Sequence, residues 1–559
     1  MENIKSWKDI RWKTIEENVF RLQLRIYKAA TNREIEKMYK IQKLLISSKS
    51  AKYLSVRKVS HQNYGKKTPR VDKFALAERL ALNRKSSSIK RTYIDYPNGK
   101  RRPLEILTIE DKAKQMLAYL ALYPQWEASF ESASDGFRPG RSVQDAMEAI
   151  FLEISKKPKW VLDAYISTSF EEINHQYLLE KCNTYPEMQS QLRVWLKAGI
   201  LDREEYAFSV QGGIISPLLF NIALHGIQET LDKYINSLGG HCRNNRQAFK
   251  YFYSRDDSVF MHADKKVIEG SIPVIQNFLE PIGLELHPTK TRLVHTLKSY
   301  EGKLPGFTFL GFDINQIEKQ VKMRAVYRKH PSKQTFVTLI KPSKEGVKRH
   351  KRKLREVIRR SRGISQERLI QKLNRIIRSW SLSKRTQISS KMFQTMDRYV
   401  FFHLWKWARK RHPKMSRYKL KEKYWHKVGS RNWVFGVKRN DIVSFQLQLH
   451  SKIIIKRFAK IKGKASPFDG NRIYWAKRCG KSLIIPNIQA RLIKEQNGRC
   501  GLCGKAFLPE DIIERDHIIP KALEGKNLIT NIHAVHNYCH IEKTNSERLQ
   551  IRRNRKLVK

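Results

Sequence analysis

The 559-residue chain carries 111 Lys and Arg against 52 Asp and Glu, a formal net charge of +59. Its length suggests several domains, and 40% hydrophobic with 10% aromatic content is that of a folded protein, which excludes a disordered polycation. A surface this positive repels itself unless a polyanion neutralises it, so nucleic acid is the expected partner, and the lack of an apolar run near ~20 residues argues against a membrane role.

The N-terminus, MENIKSWKDIRWKTIEENVF, has neither a secretory apolar core nor the acid-poor character of a transit peptide. The protein is therefore expected to act in the compartment where it is made. Residues 1–90 read as a basic N-terminal extension. Helices are predicted over IEENVFRLQLRIYKAA and REIEKMYKIQKLLISS, and a Gly/Pro-punctuated loop over VSHQNYGKKTPRVDK. Residues 91–325 alternate helical stretches with β-rich runs at 160–166 (WVLDAYI), 249–254 (FKYFYS), 291–297 (TRLVHTL) and 307–314 (FTFLGFDI). That alternation predicts an α+β sheet domain.

From 335 the pattern reads as helical and very basic, in a block extending to 465. In RHKRKLREVIRR (349–360) seven of twelve residues are Lys or Arg. Leu369, Leu373, Ile376, Ile377 and Trp380 recur at helical spacing, and YVFFHLWKWARKRHP (399–413) interleaves aromatics with cations. A buried aromatic stripe accounts for the packing, and the charge density points to an RNA backbone as partner. Residues 466–489 read as an interdomain linker, and the composition shifts to Cys, His and Asp over 490–559.

Six cysteines (Cys182, Cys242, Cys479, Cys500, Cys503, Cys539) are too few and scattered for a disulfide framework. Cys500-Gly-Leu-Cys503 presents two thiolates to one Zn²⁺, and His536 with Cys539, at the same spacing, would complete a tetrahedral Cys₃His site. A structural zinc ribbon without chemistry is the plainer reading of such a knuckle alone. Asp516-His517, however, lies between the two pairs, and His540 follows the second. This arrangement resembles the HNH endonucleases, a ββα-metal fold that cuts double-stranded DNA. The resemblance implies that His517 is the general base, that Asp516 and His540 hold a catalytic Mg²⁺, and that Asn531 orients the loop or the base. Glu514 and Lys543 stand where the family carries similar residues, with no role assigned.

RRPLEILTIEDKAKQ (101–115), DGFRPGRS (135–142), WVLDAYISTSF (160–170), QGGIISPLLFNIALHG (211–226) and GLELHPTKT (283–291) together resemble the reverse transcriptase of group II intron-encoded proteins, the maturases. PGFTFLGFDI (305–314) closes the palm-like region. The resemblance implies right-hand fingers and palm over 91–325, a helical thumb and maturase domain over 335–465 and a DNA-binding linker over 466–489. It also implies host intron RNA as partner, and a homodimer on that RNA.

The chain departs from this family at the polymerase centre. Tyr165 stands where the family's D-A-D-I strand carries a metal-binding acid. The family's Y-A-D-D loop reads Ser254-Arg255-Asp256-Asp257, and Glu105, Leu107 and Val210 replace a Gly and two prolines. Two-metal phosphoryl transfer needs carboxylates from both strands, and a neutral phenol is a poor Mg²⁺ ligand. Asp163 shares that face but sits roughly 6–7 Å along the strand. The expectation is a maturase with a competent nuclease and a lost polymerase, Asp256 and Asp257 serving as a turn pair satisfied by Arg255. The rivals are a fully active retroelement enzyme, and an RNA chaperone with a merely structural zinc tail. Lys/Ile-rich drift suggests a plastid gene, with a bacterial cytoplasm or a mitochondrion as alternatives.

Overall fold

The computed structural model describes residues 6–7, 9–61, 72–87, 90–95, 101–131, 134, 136–167, 173–197, 213–239, 249–254, 257–319, 335–439, 442–471, 474–475, 478, 487–507, 511–520 and 525–557. It is a multidomain assembly of mixed helix and sheet. The chain opens with α1 (Trp12–Thr31), α2 (Ile35–Ser47), α3 (Lys49–His61) and α4 (Lys73–Arg79). Val19, Ile26, Leu45 and Val56 from these helices pack against Leu117 and Leu120 of α5 (Ile109–Ser129). Between them β1 (Lys90–Asp95) and β2 (Arg101–Ile106) form a hairpin.

The antiparallel sheet that follows is built around β3 (Trp160–Ser167). On one side lie β5 (Asp257–His262) and then β4 (Lys250–Ser254); on the other, β6 (Glu285–Leu286) and β7 (Arg292–His295). Val161, Leu162, Ala164 and Ile166 are all buried, as expected of a central strand covered on both faces. Its cover includes α6 (Val143–Ile154), α7 (His175–Lys181), α8 (Pro186–Leu196), α9 (Ser216–Leu224), α10 (Ile227–Ser237) and α11 (Lys265–Leu279).

The structure corrects two sequence expectations. The run at 307–314 is not one strand but a hairpin of β8 (Phe307–Phe309) and β9 (Phe312–Glu318). Leu310 (φ 47°) and Gly311 (φ 78°) supply the two left-handed residues that a tight hairpin turn needs. The block from 335, expected to be helical, opens with β10 (Phe336–Pro342), which pairs along the whole of β9. Its FVTLIKP alternates buried and less buried positions at period two.

Only then come α12 (Lys344–Arg360), α13 (Gln366–Lys384), α14 (Ser390–Arg411) and α15 (Arg417–Tyr424), packed through Leu354, Leu369, Leu373, Ile377, Leu404 and Trp407. The same block ends in a second departure, the meander of β11 (Trp425–Val428), β12 (Arg431–Arg439) and β13 (Ile442–Gln446). Trp425, Val434 and Phe435 are its buried β-formers, and burial of three consecutive residues in β12 leaves no period-two pattern in the sequence.

Described residues of the segment expected to be a linker pack on the rest of the chain. Phe468 packs among the rings of Phe20, Tyr27 and Tyr123, and Arg478 pairs with buried Asp145 at 2.8 Å. The chain then runs through α16 (Asn487–Glu495), β14 (Ile513–His517), β15 (Ile532–His536) and α17 (Asn537–Leu557).

Gly140 combines a left-handed backbone (φ 75°) with a Trp475 ring only 2.6 Å from where a Cβ would stand. Gly140→Ala is expected to lower stability by about 2 kcal/mol in urea unfolding. Gly302→Ala, also left-handed but in open space, should cost about 1 kcal/mol from backbone strain alone.

Candidate active sites

The four zinc-type donors converge. One ligand atom each from Cys500, Cys503, His536 and Cys539 lie within 4.8 Å of one another. Local backbone makes the knuckle: Gly504 turns at φ 67°, and its N–H donates to the Cys500 carbonyl at 2.9 Å. His536 ends β15 and Cys539 lies in the first turn of α17, so the pair spans a strand–helix junction. His536 Nδ1 faces the sulfurs, 3.4 Å from Cys503 Sγ, while Nε2 lies 3.2 Å from Asp511 Oδ2. A carboxylate behind a ligating imidazole orients it and raises its basicity. Burial opposes charge on His536, but Asp511 and the thiols outweigh it and push its pKa up to about 11. Three sulfurs with one imidazole suit Zn²⁺. Asp511 has no local sequence signal, because it joins the site through the fold.

This side of the tail rests on α1. Lys505 pairs with Glu17, and Trp12 packs against both the N-terminal core and the tail core of Leu492, Phe507 and Val535. Glu16 lies beneath, its pKa raised to about 7 by burial, which outweighs Arg57, with Asp511 adding to the rise.

Of the other sequence-predicted nuclease residues, Asp516 and His517 lie on β14, Asn531 ends the turn before β15, and His540 lies on α17. The strands pair with Asp516 opposite His533 and His517 opposite Ile532. Glu514 and Asp516, two apart on β14, share a face. His540 lies between them, with Nδ1 2.5 Å from Glu514 Oε2 and Nε2 3.6 Å from Asp516 Oδ1. Lys543, one turn on along α17, places Nζ 2.7 Å from Asp516 Oδ2. Burial disfavours the Asp516 carboxylate, but Lys543 and then His533 outweigh it and hold its pKa below the usual value. An oxygen and a ring nitrogen therefore face one point. That donor set suits a hard cation which keeps most of its water, as Mg²⁺ does.

His517 is partly exposed, its Nε2 3.0 Å from Asn527 Oδ1. Asn531 clamps the loop beside it: Oδ1 accepts from Ile519 N at 2.9 Å, and Nδ2 donates to the carbonyls of Ile519 and Lys526 at 3.1 and 2.9 Å. Sequence reasoning gave Glu514 and Lys543 no role and passed over His533. The period-two spacing of Glu514 and Asp516 and the one-turn spacing of His540 and Lys543 were the available signals.

In the sheet domain Tyr165 pairs directly with Asp257 across β3 and β5. The Lys290 ammonium sits 3.9 Å from the Tyr165 ring centroid, and His287 meets the ring edge-on at 5.8 Å. Asp163 is engaged elsewhere, its Oδ2 2.8 Å from Arg292 Nε. Arg255, Asp256 and Val210 lie outside the described residues. On the helical block, Phe401, Phe402 and Trp433 are 41%, 53% and 47% exposed, with Lys406 over Phe402 and Lys421 over Trp433.

Comparison with known families gives four matches in chain order. They are the N-terminal domain of reverse transcriptase (residues 7–85), reverse transcriptase (RNA-dependent DNA polymerase) (85–314), the group II intron maturase-specific domain (347–425) and HNH endonuclease (500–546). Among individual proteins, Protein YkfC of Escherichia coli is 33% identical over 170 residues, 28% of this chain and 44% of that protein. Group II intron-encoded protein LtrA of Lactococcus lactis is 31% identical over 223 residues, 38% of this chain and 32% of LtrA. Maturase-like protein 1 of Euglena gracilis is 24% identical over 336 residues, 56% of this chain and 66% of that protein. The chain thus spans under half the length of the first two. With the knuckle, the Asp516–His540 pair and the Tyr165–Asp257 sheet in place, these ordered matches show that the chain belongs to the group II intron-encoded proteins, with reverse transcriptase, maturase and HNH domains.

Proposed function

We propose that this protein is a maturase that binds its host intron RNA to promote splicing, cuts target DNA with its HNH domain, and has lost reverse transcription. In this proposal residues 91–325 are fingers and palm, 335–465 thumb and maturase domain, 466–489 a DNA-binding linker and 490–559 the nuclease, after a basic extension over 1–90. Basic helices such as α12 neutralise crowded phosphates, and the exposed Trp433, Phe401 and Phe402 offer faces for unpaired bases. Arg478 is committed to Asp145, so DNA contact by the linker falls to its other cations. A plastid location rests on the Lys/Ile-rich composition and the degenerate polymerase motifs, while the relatives come from bacteria, yeasts and Euglena.

The observation that carries this reading is the contrast between two acid sites. Asp516 Oδ1 and His540 Nε2 face each other, ready for one cation, whereas a lysine covers the Tyr165 ring that stands in for a polymerase ligand. When bound by Asp516 and His540, Mg²⁺ supplies charge stabilisation on the phosphoryl oxygens. His517, at the solvent edge, removes the proton of the attacking water as a neutral imidazole. Asn531 keeps the loop at Ile519 and Lys526 in register behind it. Lys543 balances the second Asp516 oxygen.

His517→Ala should reduce Mg²⁺-dependent nicking of supercoiled plasmid by about 10²–10⁴-fold and leave intron RNA binding intact. Unchanged nicking would favour the chaperone with a structural zinc tail. Primer extension on an RNA template should yield no cDNA with Mg²⁺ or Mn²⁺, and robust extension would favour the fully active enzyme. Cys503→Ser should lose the bound zinc, read by metal analysis, and expose the amides of β15 and early α17 to hydrogen exchange. RNA affinity should stay at the wild-type level.

A further inference from the structure

We propose that His533, outside the residues set expected for an HNH site, is a positioning residue that fixes Asp516 for its cation and couples that site to the zinc knuckle. The inference rests on the nuclease reading above. A carboxylate can turn either oxygen toward a metal, and free rotation costs affinity. Here the two oxygens have separate tasks. His533 Nε2 at 3.1 Å and Lys543 Nζ at 2.7 Å both hold Oδ2, which leaves Oδ1 turned toward His540 Nε2. Strand pairing places His533 directly opposite Asp516, so its hold follows from the register.

The far edge of the same ring meets the knuckle. Gly501, between Cys500 and Cys503, donates its N–H to the Ala534 carbonyl at 3.0 Å. A Cβ at Gly501 would stand 2.3 Å from His533 Nδ1 and 2.8 Å from Cγ. Gly501 is not in the left-handed region, so its backbone does not require glycine; the ring does. A knuckle that shifts on losing zinc therefore removes the backing of His533, and with it one of the two anchors of Asp516. The link is reciprocal, because coupling between two binding equilibria acts in both directions.

The test uses full-length protein, Mn²⁺ as the probe, and His540→Ala as the blank for binding elsewhere on the chain. His533→Ala should keep its zinc and weaken Mn²⁺ binding at the site by about 10–100-fold, the usual cost of losing such an outer partner. His533→Gln, which restores a donor near Nε2, should recover part of the affinity. Gly501→Ala should also keep its zinc and weaken Mn²⁺, but should add nothing in the His533→Ala background, where there is no ring to displace. Wild-type Mn²⁺ affinity in His533→Ala would overturn the proposal, and so would an equal cost of Gly501→Ala in both backgrounds. Wild-type Mn²⁺ affinity in zinc-loaded Gly501→Ala would overturn the coupling. If the wild-type protein bound no Mn²⁺ above the blank, the nuclease reading itself would fall.

Discussion

The chemistry of the C-terminal domain depends on three thiols and one imidazole being drawn to a common point. Its core is small, built on Leu492, Ile493, Phe507, Ala534, Val535 and Tyr538, and a core of that size rarely holds a fold alone. A structural zinc is worth an apparent ~10–16 kcal/mol in finger peptides, enough to decide whether such a hairpin and helix exist. The positions of the donors matter as much as the energy. His536 and Cys539 straddle the junction of β15 and α17, so closing the site sets the angle at which the helix leaves the sheet. His540 and Lys543 ride on that helix and Asp516 on the sheet. The geometry of this candidate cation site is therefore a consequence of the knuckle. Docking on α1 through Lys505 and Trp12 then ties it to the rest of the chain.

The core of the sheet domain does not depend on the acid site beside it. The apolar pattern of β3 is complete, with Val161, Leu162, Ala164 and Ile166 buried, and burial of a Val, Leu or Ile side chain is worth roughly 1.5–3 kcal/mol. The position that departs from the family, Tyr165, shares the face of Val161 and Asp163 and is itself only partly buried. Its ring is instead boxed by the segment after β6, with Lys290 on its face, His287 on its edge and Thr291 Oγ1 3.3 Å from its backbone nitrogen. A scaffold for RNA needs the core and the surface charge, and neither is disturbed by the change.

The sequence displayed what is local. CxxC spacing, the Asp516-His517 pair and the period-two acids are written in adjacent residues, and the structure gathers them at short range. What it hid is long-range. Asp511 backs His536, and Asp145 binds Arg478 across more than 300 positions, through pairings that no periodicity announces. The meander at 425–446 was hidden for another reason. Its strands carry lysines and arginines on their open faces, so a basic stretch following basic helices read as more of the same. The hairpin at 307–318 turned on Leu310, a residue that rarely takes a left-handed conformation and so gives no turn signal.

The two acid sites differ in how each is balanced without a metal. A carboxylate at 165, as the family carries, would face Asp257 across the strand pair. Like charges about 4 Å apart cost from ~1 kcal/mol in water to ~4 kcal/mol near a protein surface. Metal ions relieve that cost only while they are bound. Exchanging one acid for tyrosine removes it at all times, and the Lys290 contact adds about 0.5–2 kcal/mol of cation–π attraction. Loss of polymerase ligands is thus favourable for the fold itself, and retention requires selection for catalysis. Asp516 is in the opposite position. Lys543 and His533 already balance it within the protein, so keeping this acid costs the nuclease domain little stability whether or not its cation is present.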